Sequence, residues 1–299
     1  MKEITILSGK GGTGKTSITA ALASVAKNTV FCDNDVDAAD LHLIFHPRVK
    51  EKNTFPSGRK MSILNEACTA CDACITHCRF GAIHRNEQGN LFINSFQCEG
   101  CRLCERVCPS AAITSIEEKN NAWFVSDTRF GKLVHARMGP GEENSGRLVT
   151  EIRKKARQIA TLENARFVIN DGPPGIGCAT IASLTGTSMV VLVVEPSKPA
   201  LHDAKRLVEL VESFSIQAHA IINKHDIDER TAYEMEKYFR AKKIKILAKI
   251  PFNMEMVKSL TEGKTIIEFS PCTEVARLIH KAWLKLTREL SLMDEKKSI

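Results

Sequence analysis

Ser8-Gly9-Lys10-Gly11-Gly12-Thr13-Gly14-Lys15-Thr16-Ser17 sets four glycines among two lysines and four hydroxyl side chains. Without Cβ atoms, successive backbone N–H groups in such a stretch can turn toward one anion. The apolar, β-branched run Ile4-Thr5-Ile6-Leu7 ahead of it reads as a strand, and Ser17 to Ala23 reads as the first turns of a helix. A glycine-rich turn between a strand and a helix N-terminus is a phosphate-binding loop, because the helix adds partial positive charge. Lys15 would reach the β- and γ-phosphates of a nucleotide, and the Thr16 hydroxyl would bind Mg²⁺.

Sulfur supplies the second chemistry. Cys68-x2-Cys71-x2-Cys74-x3-Cys78 recurs at an offset of 30 residues as Cys98-x2-Cys101-x2-Cys104-x3-Cys108-Pro109. The repeat extends past the cysteines, since Gly81-Ala82-Ile83 aligns with Ala111-Ala112-Ile113. This spacing resembles that of bacterial two-cluster ferredoxins. Three close cysteines can wrap three irons of one cube, but their short tether cannot easily turn to the fourth. The fourth cysteine of each run therefore goes to the other cluster. One [4Fe–4S] cluster takes Cys68, Cys71, Cys74 and Cys108, and the second takes Cys78, Cys98, Cys101 and Cys104. Zinc wants four ligands, usually from two C-x2-C pairs, and does not explain eight in this repeat. Arg79 stands where the pattern usually has proline, and either loosens that turn or raises the local potential through its charge.

The lysine after the first glycine narrows the phosphate loop. G-K-G-G-x-G-K-T resembles the deviant Walker motif of the MinD/Mrp/ParA class of P-loop ATPases, which also includes the nitrogenase iron protein. The resemblance implies ATP and Mg²⁺ as ligands, and a nucleotide-sandwich dimer in which Lys10 touches the partner's nucleotide. Gly9, Gly11, Gly12, Thr13, Gly14, Lys15, Thr16 and Ser17 would cradle the phosphates.

Further along, Thr29-Val30-Phe31-Cys32 reads as a strand that runs into Asp33, Asp35, Asp37 and Asp40. Such acids repel one another unless a cation is near, and ligands of open α/β sheets bind at the carboxyl ends of strands. The segment resembles switch I of the class. That implies an attacking water oriented by Asp35 and a place for Asp33 in the Mg²⁺ water shell; the class commonly has Asn where Asp40 stands. Phe167 to Asn170 reads as a core strand closing on Asp171-Gly172-Pro173-Pro174-Gly175, which resembles switch II. Asp171 would bond the Mg²⁺ water shell, and Gly175 would let the backbone approach the γ-phosphate. Asn223-Lys224-His225-Asp226 resembles the N-K-x-D element, so Asn223 would contact adenine, as would Pro251 and Phe252. Cys178 follows Asp171 by the offset at which the iron protein places a ligand of its dimer-bridging cluster. It reads either as a small helix-start residue or as an extra ligand, with Cys32 and Cys272 read as buried.

The elements that must carry these residues are legible in outline. Residues 46 to 66 read as a polar connector. Trp123-Phe124-Val125 and Lys132 to His135 read as a hairpin. Gly139 to Gly146 is a loop before a helix over 147–161, and family sequences carry a similar E-N-S-G stretch. Buried strands are expected over 188–194, 218–222 and 246–250, a helix over 201–213, and a last helix over 274–290 with apolar residues at helical spacing.

At 299 residues there is room for one large α/β domain and a small insert, and the 43% hydrophobic content can fill a core. The net charge of +7 comes without a long basic run. It argues for an anionic ligand, a role nucleotide phosphates already fill, and no nucleic-acid partner is expected. A strand beginning almost at Met1 leaves no signal segment, and the apolar run Met189 to Val194 is too short to span a bilayer. The chain reads as cytoplasmic, so its eleven cysteines serve as metal ligands rather than disulfides.

Nearly the whole chain resembles MinD/Mrp-type ATPases with an inserted bacterial-type ferredoxin domain. That implies a mainly parallel, doubly wound P-loop domain over 1–58 and 119–299, and an α+β ferredoxin domain over 59–118. The function implied is slow, Mg²⁺-dependent and dimer-dependent ATP hydrolysis, with nucleotide state gating electron transfer through two [4Fe–4S] clusters to a partner protein. The alternative is an Mrp-like carrier that hands on an iron–sulfur cluster or metal cofactor, and a third reading is a MinD-like positioning ATPase. Expected partners are a second copy or a related ATPase, and a redox or metal-cofactor protein. Membrane binding is not expected, because the nine residues left after the last expected helix, 291–299, are mostly polar and charged.

Overall fold

The structure is a computed structural model, and it describes residues 1–56, 58–118, 120–139 and 145–297. In chain order the elements are β1 (Lys2–Ser8), α1 (Lys15–Ala23), β2 (Thr29–Asp33), α2 (Leu41–Phe45), β3 (Arg48–Phe55), β4 (Gly58–Ile63) and α3 (Ala73–His77). There follow β5 (Ile83–Arg85), β6 (Leu91–Ile93), α4 (Leu103–Val107), β7 (Ile113–Glu118), β8 (Asn121–Thr128), β9 (Gly131–Arg137) and α5 (Ser145–Leu162). The rest are β10 (Phe167–Pro174), α6 (Cys178–Leu184), β11 (Met189–Val194), α7 (Lys198–Ser213), β12 (Ala218–Asn223), α8 (Glu229–Ala241), β13 (Lys245–Ile250), α9 (Met254–Thr261), α10 (Ile266–Phe269) and α11 (Glu274–Lys297). The chain forms two compact units: Met1–Asn53 with Trp123–Arg137 and Ser145–Ile299, and Thr54–Ala122 with Met138–Asn144.

The first unit is built on a sheet of order β13-β12-β11-β1-β10-β2-β9-β8-β3. Six of its neighbouring pairs, from β13·β12 to β2·β9, are parallel. Parallel neighbours need crossovers, which the helices supply, so both faces of the sheet are covered. Successive side chains of β11 show this directly. Val191 and Val193 join one cluster with Ile4, Ile6, Phe31, α1 and α11, while Val190, Leu192 and Val194 join another with Leu7, α7 and α8. An all-apolar strand is what a period of two produces when both faces are buried. The fold is mixed α/β with a large, mainly parallel central sheet, as the resemblance implied.

Several local expectations need correction. The connector at 46–66 contains two strands, β3 and β4. β3 (RVKEKNTF) ends the sheet, and most of its residues are exposed. A strand wet on both faces has no apolar period to read. β10 continues through Pro174, so Asp171 lies inside the strand, opposite Ile6 on one side and Asp33 on the other. α7 begins at Lys198, because Ser197 caps it by accepting the Ala200 N–H and Pro199 fits the first turn. α11 runs on to Lys297 rather than stopping near Leu290. Cys272 is exposed, whereas Cys32 is buried as expected. Of the loop expected over 139–146, residues 140–144 lie outside the described residues, with Glu143 and Asn144 of the E-N-S-G stretch among them, and Ser145 opens α5.

In the second unit, β4 pairs antiparallel with β7 and β5 with β6. The 30-residue repeat reappears in the backbone. Left-handed residues pair off as Ala70 with Gly100, Asp72 with Arg102, and Gly81 with Ala111. α3 and α4 follow the second of these pairs, at matching positions. The non-glycine members hold conformations that cost about 1–2 kcal/mol each. Met61, Cys74, Ile83, Leu91 and Ile113 make the buried core. So small a core rarely stabilises a unit without a metal or a cross-link.

Candidate functional site

In the first unit, β1 ends at Ser8 and the glycine loop swings into α1 at Lys15. Gly12 and Gly14 sit at φ 81° and 85°, which side-chained residues rarely adopt. A Cβ on Gly14 would also lie 2.4 Å from the Asn223 amide, and one on Gly9 would lie 2.8 Å from the Asp203 backbone in α7. Gly11 lies against nothing. Ser17, the third residue of α1, is half-buried. The α1 N-terminus carries no side-chain cap and no acid in its first turn, and the buried Thr13 hydroxyl has no partner. Those are the marks of a helix end that takes an anion.

Four charged groups converge just past that loop. The Lys15 amine lies 3.0 Å from Asp171 and 3.7 Å from Asp35. Burial pulls the Lys15 pKa down, but Asp171, Asp35 and Asp33 together hold it above its ordinary value. The Thr16 hydroxyl donates to Asp171 at 2.7 Å, and Thr19, which the sequence reading passed over, donates to the other Asp171 oxygen at 2.8 Å. Asp33 accepts the N–H groups of Asp35 and Leu41, so it shapes the acidic loop. Burial, and then the Asp171 charge, push the Asp33 pKa well up. Burial also raises Asp35 to about 6, against the pull of Lys15 and with help from Asp171, Asp37 and Asp40. Asp40 itself precedes α2 without capping it. This all-oxygen donor set beside one lysine fits a hard divalent cation and phosphate. Gly175, at φ 80°, donates its N–H to the Ser8 carbonyl at 2.9 Å, which ties the segment after Asp171 to the end of β1.

Lys10 lies 2.6 Å from Glu195, and Lys224 bonds the same carboxylate and the Gly12 carbonyl, each at 3.0 Å. Two cations on Glu195 outweigh its partial burial and lower its pKa. Asn223 donates to the Thr13 carbonyl at 2.8 Å, so its amide braces the glycine loop. Asp226 accepts the Phe252 N–H at 2.7 Å, Pro251 is half-buried beside it in sequence, and the Phe252 side chain is exposed. Glu195 had no assigned role in the sequence; an acid closing the apolar run of β11 was the available signal.

In the second unit, one cavity of about 290 Å³ is lined by Cys78, Cys98, Cys101 and Cys104. A tighter one of about 10 Å³ is lined by Cys68, Cys71, Cys74 and Cys108. Arg79, Glu99 and Arg102 stand on the wall of the first, and Asp72 on that of the second. The last cysteine of each run accepts the amide four residues on, Ala82 to Cys78 at 3.4 Å and Ala112 to Cys108 at 3.3 Å. Burial raises the pKa of Cys104 to about 11. Among the described residues, no group of three or more His, Cys, Asp or Glu closes around a single ion. A cube of four irons holds its cysteines further apart than one ion does. Four cysteines around about 290 Å³, no disulfide partner for any of them and a small core fit such a group, while Cys68, Cys71, Cys74 and Cys108, around about 10 Å³, would have to part to admit one. Cys178 is exposed at the first residue of α6.

No helix among the described residues is long and apolar enough to cross a membrane. The chain is 32% identical over 226 residues to an uncharacterised protein of Methanocaldococcus jannaschii, covering 74% of this chain and 78% of that one. Pyruvate synthase subunit PorD of the same organism is 35% identical over 79 residues, which is 26% of this chain and 92% of PorD. The septum site-determining protein MinD of Pyrococcus horikoshii, solved with Mg-ADP, shares the fold at a TM-score of 0.57 and 18% identity, over 97% of this chain and 98% of that one. Residues 4–266 match the CobQ/CobB/MinD/ParA nucleotide-binding domain, and the chain belongs to that family.

Proposed function

We propose that this chain is a Mg²⁺-dependent ATPase whose nucleotide state gates electron transfer through two [4Fe–4S] clusters to a partner protein. The observation that carries the reading is the coexistence, in one chain, of the Lys15–Asp171–Asp35 constellation and two cavities with four cysteines each. The 79-residue likeness to a subunit of pyruvate synthase supports a redox role for part of this chain, and the family supports ATP as the nucleotide.

Each residue then has a task. Lys15 leaves its carboxylates for the β- and γ-phosphates, and the loop amides from Gly9 to Thr16 take the remaining charge. Thr16, Asp33 and Asp171 would hold Mg²⁺, which would supply charge neutralisation at the phosphates. Asp35, ionised at neutral pH, orients the attacking water. Lys10 leaves Glu195 and reaches the nucleotide of a second copy or a related ATPase. Asn223, Pro251 and Phe252 border the base, Asn223 after releasing the Thr13 carbonyl. When bound, the clusters supply one-electron chemistry, and the eight cysteines hold them.

The test is anaerobic reconstitution with iron and sulfide. Metal analysis should find about eight irons per chain, four per cluster, and low-temperature EPR of the reduced protein should show two interacting clusters. Cys101→Ala should lose mainly one. Stoichiometric zinc without iron would overturn the reading. The carrier alternative has one observation in its favour, the exposed Cys178; it predicts a cluster that passes to an apo-acceptor and is lost in Cys178→Ser.

A further inference from the structure

A cavity of about 1130 Å³ in the first unit is lined by none of the nucleotide-site residues or cysteines. It runs along β13, which ends the sheet on that side, between the end of α8 and the face of α11. Arg240 and Lys243 come from the end of α8 and the turn after it, and Lys245 and Lys249 from β13. Lys281, Lys285 and Arg288 come from α11. Only Glu236 and Glu289 oppose these seven cations. The groove therefore holds +5 of the chain's net +7, gathered by the fold from segments no basic run connects. Both acids are already engaged, Glu236 with Lys249 at 2.6 Å and Glu289 with Lys245 at 2.8 Å. Among the described residues, Arg240, Lys245 and Lys249 pair with these acids, while Lys243 and Lys281 pair with neither.

The chemistry of the walls selects the kind of polyanion. Ile246, Leu247, Leu278 and Leu292 add apolar surface. No aromatic side chain lines the groove, so nucleobases would have nothing to stack on. An extended polypeptide fits, because β13 offers backbone partners that no neighbouring strand uses. Leu247 sits at an irregularity in the β12–β13 register, and its carbonyl is capped by the Lys285 amine at 2.8 Å. A lysine over an open edge is a common guard against stray pairing, and an incoming carboxylate can draw it off.

We infer that this groove is a docking site for an acidic, extended segment of another protein, added as a strand along β13. The site is independent of the iron–sulfur reading. The probe is a fluorescein-labelled ten-residue peptide of alternating Glu and Val, followed by anisotropy with the full-length protein. Saturable binding should weaken as salt rises. Charge reversal at Lys243, Lys281 and Arg288 together should weaken it at least tenfold, with the melting temperature and ATP binding unchanged. The same peptide with proline at alternate positions should also lose at least tenfold, because proline cannot donate to a strand ladder. Equal binding by the reversal variant, or no binding by the wild-type chain, would overturn the site. Equal binding of the proline peptide would overturn strand addition. Binding of a 20-base-pair DNA duplex or of anionic vesicles in place of the peptide would assign the groove to those ligands instead.

Discussion

Asp35 and Glu195 each hold a lysine that the proposed function needs elsewhere. Asp35 is raised to about 6 by burial, above the roughly 3.9 of an unfolded aspartate. Between those values the folded chain binds more protons than the unfolded one, so charging Asp35 makes stability fall as pH rises from about 4 to 6. Asp35→Asn should therefore raise the melting temperature of the nucleotide-free protein at pH 7 and change it little at pH 4. Thermal melts across that range check this, and a variant less stable at pH 7 would mean that the Lys15 contact outweighs burial. The Lys10–Glu195 pair is partly exposed, at 33% and 19%, and pairs of that kind contribute about 0.2–1 kcal/mol. Under the proposed function, breaking it would free Lys10 for a partner's nucleotide. Glu195→Gln should raise the ATP-dependent dimerisation constant by about 1.4- to fivefold per pair broken, read by sedimentation, and an unchanged constant would make the pair irrelevant to assembly.

Strands and helices differ in how plainly they could be read. β1, β2, β10 and β11 were legible because both faces are buried and the apolar runs are continuous. The lysine and threonine of the phosphate loop were legible because glycine spacing there has one use. β3 was not, since an edge strand of Lys, Glu and Asn carries no period. Nor was the bracing of the loop by Asn223 and Lys224, or the link from Thr19 to Asp171. Those contacts span 152 to 212 residues and exist only once the strands are ordered. The groove at β13 was invisible for the same reason, its cations being dispersed along the chain. α7 offers a test at this scale. Ser197 caps it, and α7 backs Gly9 through Asp203. Ser197→Ala should cost about 1 kcal/mol in urea unfolding with an unchanged m-value. A loss within 0.3 kcal/mol of zero would mean that Pro199 alone sets the helix start.

Across the whole molecule, connectivity is what joins the two chemistries. The second unit leaves the chain after β3 and returns at β8, between the acids that follow β2 and Asp171 in β10. β9 pairs with β2, the strand that ends in Asp33, and its last residue, Arg137, is followed directly by the second unit's Met138. Under the proposed function, a nucleotide that rearranges Asp33, Asp35 and Asp171 would act on β2, whose neighbour β9 runs on into the second unit. Bistable elements transmit such shifts without a dedicated path. The expected outcome is a potential that depends on nucleotide. Couplings between sites usually amount to about 1–3 kcal/mol, and for one electron about 59 mV is a tenfold change. Paired redox titrations, with and without a non-hydrolysable ATP analogue, should differ by about that much in at least one cluster. Linkage is reciprocal, so reduction must change ATP-analogue affinity by the same factor, which calorimetry on the reduced and oxidised protein checks. Lys10→Ala separates the routes. If dimer closure transmits the change, the variant binds nucleotide but loses most of the shift; if the strands alone transmit it, the shift survives in the monomer. Equal potentials with and without nucleotide would leave the cysteine unit a passenger, and the carrier reading would then take precedence.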